Sequence, residues 1–502
     1  MKGILRRAPL ALACLTACGA AMAATVDPQL TASGGDADAL IVFPSLSQAL
    51  TPLAPDADYK LRRRALVDTL RAQADTSQRD VRAWLDAHGI AYRSYWISNV
   101  IEARLPPSAL AELASRSDIA HIKSNAAIAL ALPQVEQTNA PSDVDAIPYG
   151  VAKIEAPEVW AAGYNGQGVV IAGQDTGYQW DHPALEPHYR GWDGSVADHN
   201  YNWHDSIHDS SGFPCGNDSP EPCDDHGHGT HTAGTFAGDD GATHQIGVAP
   251  GAKWIGCRNM DGDGNGTPAT YIECMQWVLA PTDLNDENPN PDLAPDVMSN
   301  SWGCPPSEGC TTGEELGEAV TNVVAGGIFF AASAANDGPG CGSIFTPPAT
   351  YDASFVVGAT DSQDRLADFS SRGPVENVTL IRPDISAPGV GVNSSFPPNG
   401  YTNLSGTSMA SPHVAGTAAL VMSVNPALKG HPDQVAEILR SSTVTEGITD
   451  PANSGCGGLT MDDWPNYQAG YGRLDAYAAA VLAGLGAPAD TVFVDGFDGA
   501  TP

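Results

Sequence analysis

The chain predicts an α/β protein: a mainly parallel sheet with helices on both faces, preceded by a small α+β unit. Short apolar runs such as 169–172 (Val-Val-Ile-Ala) and 355–359 (Phe-Val-Val-Gly-Ala) lack polar/apolar alternation. Strands buried on both faces read this way. They alternate with Ala-, Gly- and Val-rich segments suited to close-packed helices, as at 406–424. Before residue 140 the pattern changes to strand, helix, strand, strand, helix, strand, the ferredoxin-like order. A length of 502 residues leaves room for both parts.

Residues 1–23 read as a secretory signal. Lys2, Arg6 and Arg7 precede an apolar run from Ala8, and Ala21-Met22-Ala23 offers a small-residue cleavage site. Leu-Thr-Ala-Cys at 15–18 also resembles a bacterial lipoprotein box, which would place a lipid on Cys18. No later apolar run reaches the length of a membrane span. The expectation is a secreted protein, with a lipid anchor through Cys18 as the alternative.

Residues 24–135 read as a separate unit. Residues 40–43 are strand-like; 59–88 are helical with a break at 75–77. Residues 91–105 make two strands around Ser98-Asn99, Ser108 caps a short helix to 115, and 121–122 closes as a strand. The apolar stretch 126–135 is extended. A Pro/Ala/Asp-rich linker leads into the α/β region, 136–484. Within it, 281–295, rich in Asn, Asp and Pro, predicts a surface insertion. Residues 485–502 form an acidic tail outside the fold.

The formal net charge of −35 is unevenly placed: residues 141–502 carry 10 Lys+Arg against 46 Asp+Glu. Such a surface disfavours nucleic acid and anionic membranes and favours solubility and cation binding. Eight cysteines follow the signal, all in the α/β region. An even count in a secreted chain implies disulfides, and eight allow about 105 connectivities. Short spacing favours Cys215–Cys223 and Cys304–Cys310. A strand-to-helix staple Cys257–Cys274 then leaves Cys341–Cys456. No paired C-x-x-C supports zinc.

Residues 406–416 read Gly-Thr-Ser-Met-Ala-Ser-Pro-His-Val-Ala-Gly. This puts Ser408 between a glycine turn and a buried helix, whose first N–H groups favour developing negative charge. A serine needs a base to become a nucleophile. Asp175 ends the strand-like run Val-Val-Ile-Ala-Gly-Gln-Asp-Thr-Gly at 169–177, the sheet edge where open α/β folds bind ligands. His228 stands in Asp-Asp-His-Gly-His-Gly-Thr-His at 224–231. Any one motif alone reads as an N-cap or a loop; the three together carry the chemistry. His231 and His413 read as packed groups, and His226 as a loop residue.

The chain order Asp175, His228, Ser408 is the subtilisin order. With Asp-Thr-Gly followed by His182-Pro183, His-Gly-Thr-His and Gly-Thr-Ser-Met-Ala-x-Pro-His-Val-Ala-Gly, the sequence over about 145–480 resembles the subtilisin-like serine peptidase family. The resemblance implies Ser408 as nucleophile, His228 as general base and Asp175 as its orienting partner. Asn336, in Ala-Ala-Asn-Asp-Gly at 334–338, matches the family's oxyanion-hole asparagine, with the Ser408 N–H beside it. Ser301, Trp302 and Gly303 match the segment whose backbone pairs with substrate, and Gly264 and Gly266 the opposite wall. That wall, 261–267, also opens like an EF-hand loop, but its twelfth position is Ile272, with Glu273 one residue late. The cleft reading is preferred. Ala335 stands where the family often has glycine, which implies a narrowed specificity pocket.

The resemblance further implies that 24–135 is an inhibitory propeptide whose tail fills the cleft until cut between 130 and 142. The partners expected are protein or peptide substrates and this propeptide; no nucleic acid and no membrane span are expected, and the chain is expected as a monomer. Structural calcium, common in the family, suits oxygen-rich loops, with no ligands assigned. The expected function is a secreted, self-processing endopeptidase. Against it stand a silent peptide-binding homologue and an esterase; no G-x-S-x-G elbow surrounds Ser408.

Overall fold

A computed structural model describes residues 24–32, 34–45, 58–126, 128–129, 147–209, 212–304, 314–452 and 455–486. The expected signal (1–23), most of the tail (487–502) and the expected processing stretch (130–142) lie outside them.

The first unit contains β1 (Thr25–Val26), α1 (Pro28–Ala32), β2 (Ala37–Val42), α2 (Tyr59–Ser77), α3 (Arg79–Ala87), β3 (Tyr92–Tyr95), β4 (Val100–Leu105), α4 (Pro107–Ala114) and β5 (His121–Ser124). The strands form one sheet in the order β1-β5-β2-β4-β3. The expected strand-helix-strand-strand-helix-strand order is present, with β1 added at the edge, parallel to β5. Asp58 caps α2 by accepting from Lys60 and Leu61 N–H at 2.9 and 3.2 Å. The helix breaks at Gln78 rather than at 75–77. The Gln78 side chain is drawn to the β3–β4 turn, donating to Asn99 Oδ1 at 3.0 Å and accepting from Ser94 Oγ. Ser108 does not cap α4; Pro106 holds that place and Pro107 opens the helix, its fixed φ suited to a first turn.

One further pairing leaves the unit: β6 (Ile128–Ala129) runs antiparallel to β10 of the large domain.

The large domain follows as α5 (Tyr149–Lys153), α6 (Ala156–Ala161), β7 (Val170–Asp175), β8 (Trp203–Asp205), α7 (His228–Ala237), β9 (Lys253–Arg258), β10 (Asn265–Gly266), α8 (Pro268–Leu279), β11 (Val297–Asn300), α9 (Glu314–Ala325), β12 (Phe329–Ser333), β13 (Phe355–Thr360), β14 (Ile385–Pro388), β15 (Val392–Phe396), β16 (Gly400–Leu404), α10 (Thr407–Val424), α11 (Pro432–Ser441) and α12 (Ala476–Leu482). Seven parallel strands lie in the order β14-β13-β12-β11-β7-β9-β8. One face packs α7 and α10, buried from Thr407 to Ser423; the other packs α8 and α9. Small side chains explain the first face: Ala410, Ala415, Ala418 and Ala419 let α10 sit close to the strands. Among the described residues no helix is long and apolar enough to cross a membrane.

The first unit shares the second face. Leu40, Val42, Val67, Tyr95, Ile97 and Val100 join one apolar cluster with Ile255, Trp277, Val278 and Val320. Arg63 of α2 is buried and donates to Gly326 O at 2.7 Å and to Pro291, Ala294 and Pro295 O at 3.3–3.4 Å. The stretch 281–295 is therefore not simply a surface insertion: its end is covered by α2, because its carbonyls converge on this guanidinium. Disulfides Cys215–Cys223, Cys257–Cys274 and Cys341–Cys456 are formed. Cys304 is also disulfide-bonded, and its expected partner Cys310 lies outside the described residues.

Candidate active site

Asp175 is the last residue of β7 and is buried. His228 opens α7, and Ser408 is the second residue of α10, against which α7 packs. His228 Nδ1 donates to Asp175 Oδ1 at 2.7 Å. The carboxylate also accepts from Thr176 N–H at 2.8 Å and from Thr232 Oγ1 at 3.2 Å. Both oxygens are thus occupied and the imidazole is fixed by one nitrogen. Its Nε2 is buried and has no hydrogen-bond partner among the described residues.

Pro412 shapes the serine's surroundings. In a regular helix the N–H of residue 412 would bond to the Ser408 carbonyl; proline has none. Ser301 Oγ fills the vacancy, donating to Ser408 O at 2.9 Å. In return Ser408 Oγ donates to Ser301 O at 3.2 Å. The structure therefore brings Ser301 directly to Ser408, while the hydroxyl is turned to Ser301 and not bonded to His228.

Asn336 Oδ1 accepts from Thr407 N–H at 2.9 Å and from Thr407 Oγ1 at 3.0 Å. Since both partners donate there, the amide is oriented and its Nδ2 remains as a donor for another acceptor. The N–H of Ser408, in the first turn of α10, is also without an intrahelical acceptor. Ala335, just before, has φ +74°, the left-handed region that costs an L-residue about 1–2 kcal/mol. Glycine would sit there without strain.

The segments expected as cleft walls are the loop into β10 and residues 301–303 after β11. Gly264 (φ +78°) turns the loop into β10, and a Cβ on Gly266 would lie 2.6 Å from the Tyr271 hydroxyl. Opposite, a Cβ on Gly303 would lie 3.1 Å from Thr346 Oγ1. The Trp302 side chain faces inward and stacks on Tyr271, ring centroids 4.2 Å apart. β10 carries a paired strand, Asn265 opposite Ala129 and Gly266 opposite Ile128.

Asp261 bonds within its own loop. Its Oδ1 accepts from Asp263 and Asn265 N–H at 3.0 and 2.9 Å and from Asn265 Nδ2 at 3.1 Å. An oxygen so saturated by donors does not fit a calcium ligand. Among the described residues no three His, Cys, Asp or Glu side chains converge to hold a metal.

Sequence reasoning passed over Asp224. Its Oδ1 accepts from Thr176 Oγ1, His226 N–H and Gly227 N–H at 3.0, 3.2 and 2.7 Å; its Oδ2 accepts from Thr230 N–H and Oγ1 at 2.9 and 2.5 Å. One carboxylate thereby ties the end of β7 to the start of α7. The signal was its place four residues before His228 at a helix start. Thr346 and Tyr271 were also missed, and nothing local marks Thr346. His231 Nε2 bonds Val392 O at 3.0 Å, pinning α7 to β15, and burial pushes its pKa down to about 3. Burial likewise pushes His413 down to about 4, and lowers His226, next to His228.

The Subtilase family pattern matches residues 166–472. Bacillopeptidase F of Bacillus subtilis (strain 168) is 36% identical over 474 residues, 89% of this chain and 31% of that protein. Subtilisin DY of Bacillus licheniformis is 35% identical over 302 residues, 60% of this chain and 93% of its own length. Subtilisin E of Bacillus subtilis (strain 168) is 29% identical over 359 residues, 71% of this chain and 79% of that one. The chain spans about a third of Bacillopeptidase F but most of the two subtilisins. On its parallel sheet, a pattern match over more than half its length and these relatives, the chain belongs to the Subtilase family of serine-type endopeptidases.

Proposed function

We propose that the chain is the precursor of a secreted serine endopeptidase, with Asp175, His228 and Ser408 as its triad and residues 24–135 as its inhibitory propeptide. The observation that carries this is His228: it is held through Nδ1 by Asp175, and its other nitrogen, where α7 meets α10, has no partner among the described residues. A base so arranged accepts a proton only at Nε2.

In the reaction Ser408 Oγ leaves the Ser301 carbonyl, gives its proton to His228 Nε2 and attacks the scissile carbonyl. The oxyanion receives hydrogen bonds from Asn336 Nδ2 and the Ser408 N–H. His228 then protonates the leaving amine, and water repeats the sequence on the acyl-enzyme. Losing one oxyanion donor costs about 2.7–4 kcal/mol, the range known for a subtilisin's own asparagine. Substrate adds as a strand to β10 and to 301–303, so affinity comes from main chain and choice from pockets. The pairing of β6 with β10 supports the propeptide reading, because that strand occupies the wall a substrate needs. Subtilases generally bind calcium; the 261–267 loop does not fit it, and no step here uses it.

Intact mass of the secreted protein, with and without a phosphonate or sulfonyl fluoride, tests the proposal. A product starting between 130 and 142 that gains one adduct, lost in Ser408→Ala together with self-cleavage, is expected. An unprocessed chain without adduct overturns it in favour of a silent peptide-binding homologue.

A further inference from the structure

Where the first unit meets α8, Tyr95 Oη lies 2.9 Å from Glu102 Oε2 and 2.8 Å from Glu273 Oε2. Tyr95 and Glu102 belong to the unit, on β3 and β4; Glu273 belongs to α8. A phenol has one proton, so it can satisfy only one of two carboxylates. The other contact would set lone pair against lone pair unless one carboxyl carries its own proton.

The surroundings decide which. Glu273 Oε1 receives His204 Nε2 and His208 Nε2, both at 2.9 Å. Those rings are held from outside by Asp286 and Asp218. Among the described residues, Glu102 has on its other oxygen the neutral Asn125 Nδ2, at 2.9 Å. Arg93 lies opposite Glu102 in the β3–β4 register, Lys123 of β5 follows on the same face beyond Leu40, and Arg104, two residues along β4, pairs with Asp38. Burial raises the Glu102 pKa and the nearby Glu273 charge adds to it, together outweighing the Tyr95 hydrogen bond, Arg93 and His208, which lower it. Burial also works against the charged Glu273, but the two histidines outweigh it and hold that carboxyl well below the usual range.

We infer that Glu102 keeps a proton in the precursor, donated to Tyr95, which donates to Glu273, and that this chain of bonds latches the propeptide in acid and slackens as pH rises. The inference rests on reading 24–135 as the propeptide. When the unit leaves, Glu102 meets water and regains an ordinary carboxylic value. The complex thus binds a proton that its separated parts release, between that value and the raised one. The hold is strongest below this interval and weakens as pH rises through it. Each unit of difference is about tenfold in affinity.

The test uses the full-length Ser408→Ala chain, which cannot cut itself. Trp96 and Ile97 N–H donate across the interface to Gln276 Oε1 at 2.7 and 3.3 Å, so their amide exchange reports its opening. Corrected for the intrinsic pH dependence of exchange, their protection should fall about tenfold or more between about pH 5 and about pH 8. Glu102→Gln keeps a donor that does not titrate and should hold the acid level of protection at both pH values. Tyr95→Phe breaks the chain and should show low protection at both. Equal protection of the parent at the two pH values overturns the inference, as does a Glu102→Gln chain with the parent's slope. Neither outcome touches the peptidase reading, which stands or falls on the inhibitor adduct.

Discussion

The setting of Ser408, the proposed nucleophile, follows from a missing hydrogen. Pro412 frees the Ser408 carbonyl, and Ser301 takes it. Ser301→Ala should leave that buried carbonyl unpaired, costing about 1–3 kcal/mol in chemical denaturation and lowering kcat. Asp224 holds five donors from two segments, so Asp224→Ala should lower kcat about a hundredfold with little change in KM, since what is lost is the placing of His228 and not substrate contact. At Ala335 the left-handed backbone makes opposite predictions for two variants. Ala335→Gly should leave Tm unchanged or slightly raised, whereas Ala335→Val should lower stability by about 2 kcal/mol or more, because a β-branched residue resists φ +74°. The motif residues were legible because their chemistry is local. Thr346 was not, since it meets Gly303 only through the fold.

Between elements, the decisive contacts are made by long polar side chains reaching across packed helices and strands. Arg63 of α2 enters a cradle of carbonyls at the end of α9 and of the 281–295 stretch. Arg63→Ala should destabilise the docked unit by about 1.5–3 kcal/mol, the usual worth of hydrogen bonds to a charged donor, read as a lowered first transition in calorimetry of the Ser408→Ala chain. Arg258 and Asp205, joining β9 to the end of β8, form a buried pair at 2.7–2.9 Å. Element type was readable from apolar runs and small-residue segments. Boundaries were less so: the break at Gln78 depends on Asn99 and Ser94, partners brought near by β3 and β4, and α4 began on prolines that compete with Ser108 for the cap.

At the scale of the whole molecule, titratable groups bound the pH range of stability. His231 and His413 are buried and neutral, pushed down to about 3 and about 4 from 6.5. The unfolded chain therefore takes up protons that the native one refuses, and stability should fall as pH drops from about 6.5 toward 4. His204 behaves oppositely. Burial opposes its charge, but Asp286 and Glu273 outweigh that and push it up to about 10. Its contribution is complete below 6.5 and lost as pH rises toward 10. Denaturation of the Ser408→Ala chain across this range should show a maximum near neutrality, and His413→Gln should flatten the acid side. What the sequence alone determined is the chemistry and its order: an aspartate at a strand end, a histidine and a serine at helix starts, on an α/β frame behind a βαββαβ unit. These are local patterns, set by propensity and side-chain type over a few residues. Only the tertiary structure decided that Ser408 meets Ser301 at rest, that Asp224 joins the end of β7 to the start of α7, and that Tyr95 stands between Glu102 and Glu273. Those contacts link positions up to 178 residues apart in the chain, and no local pattern encodes such a distance.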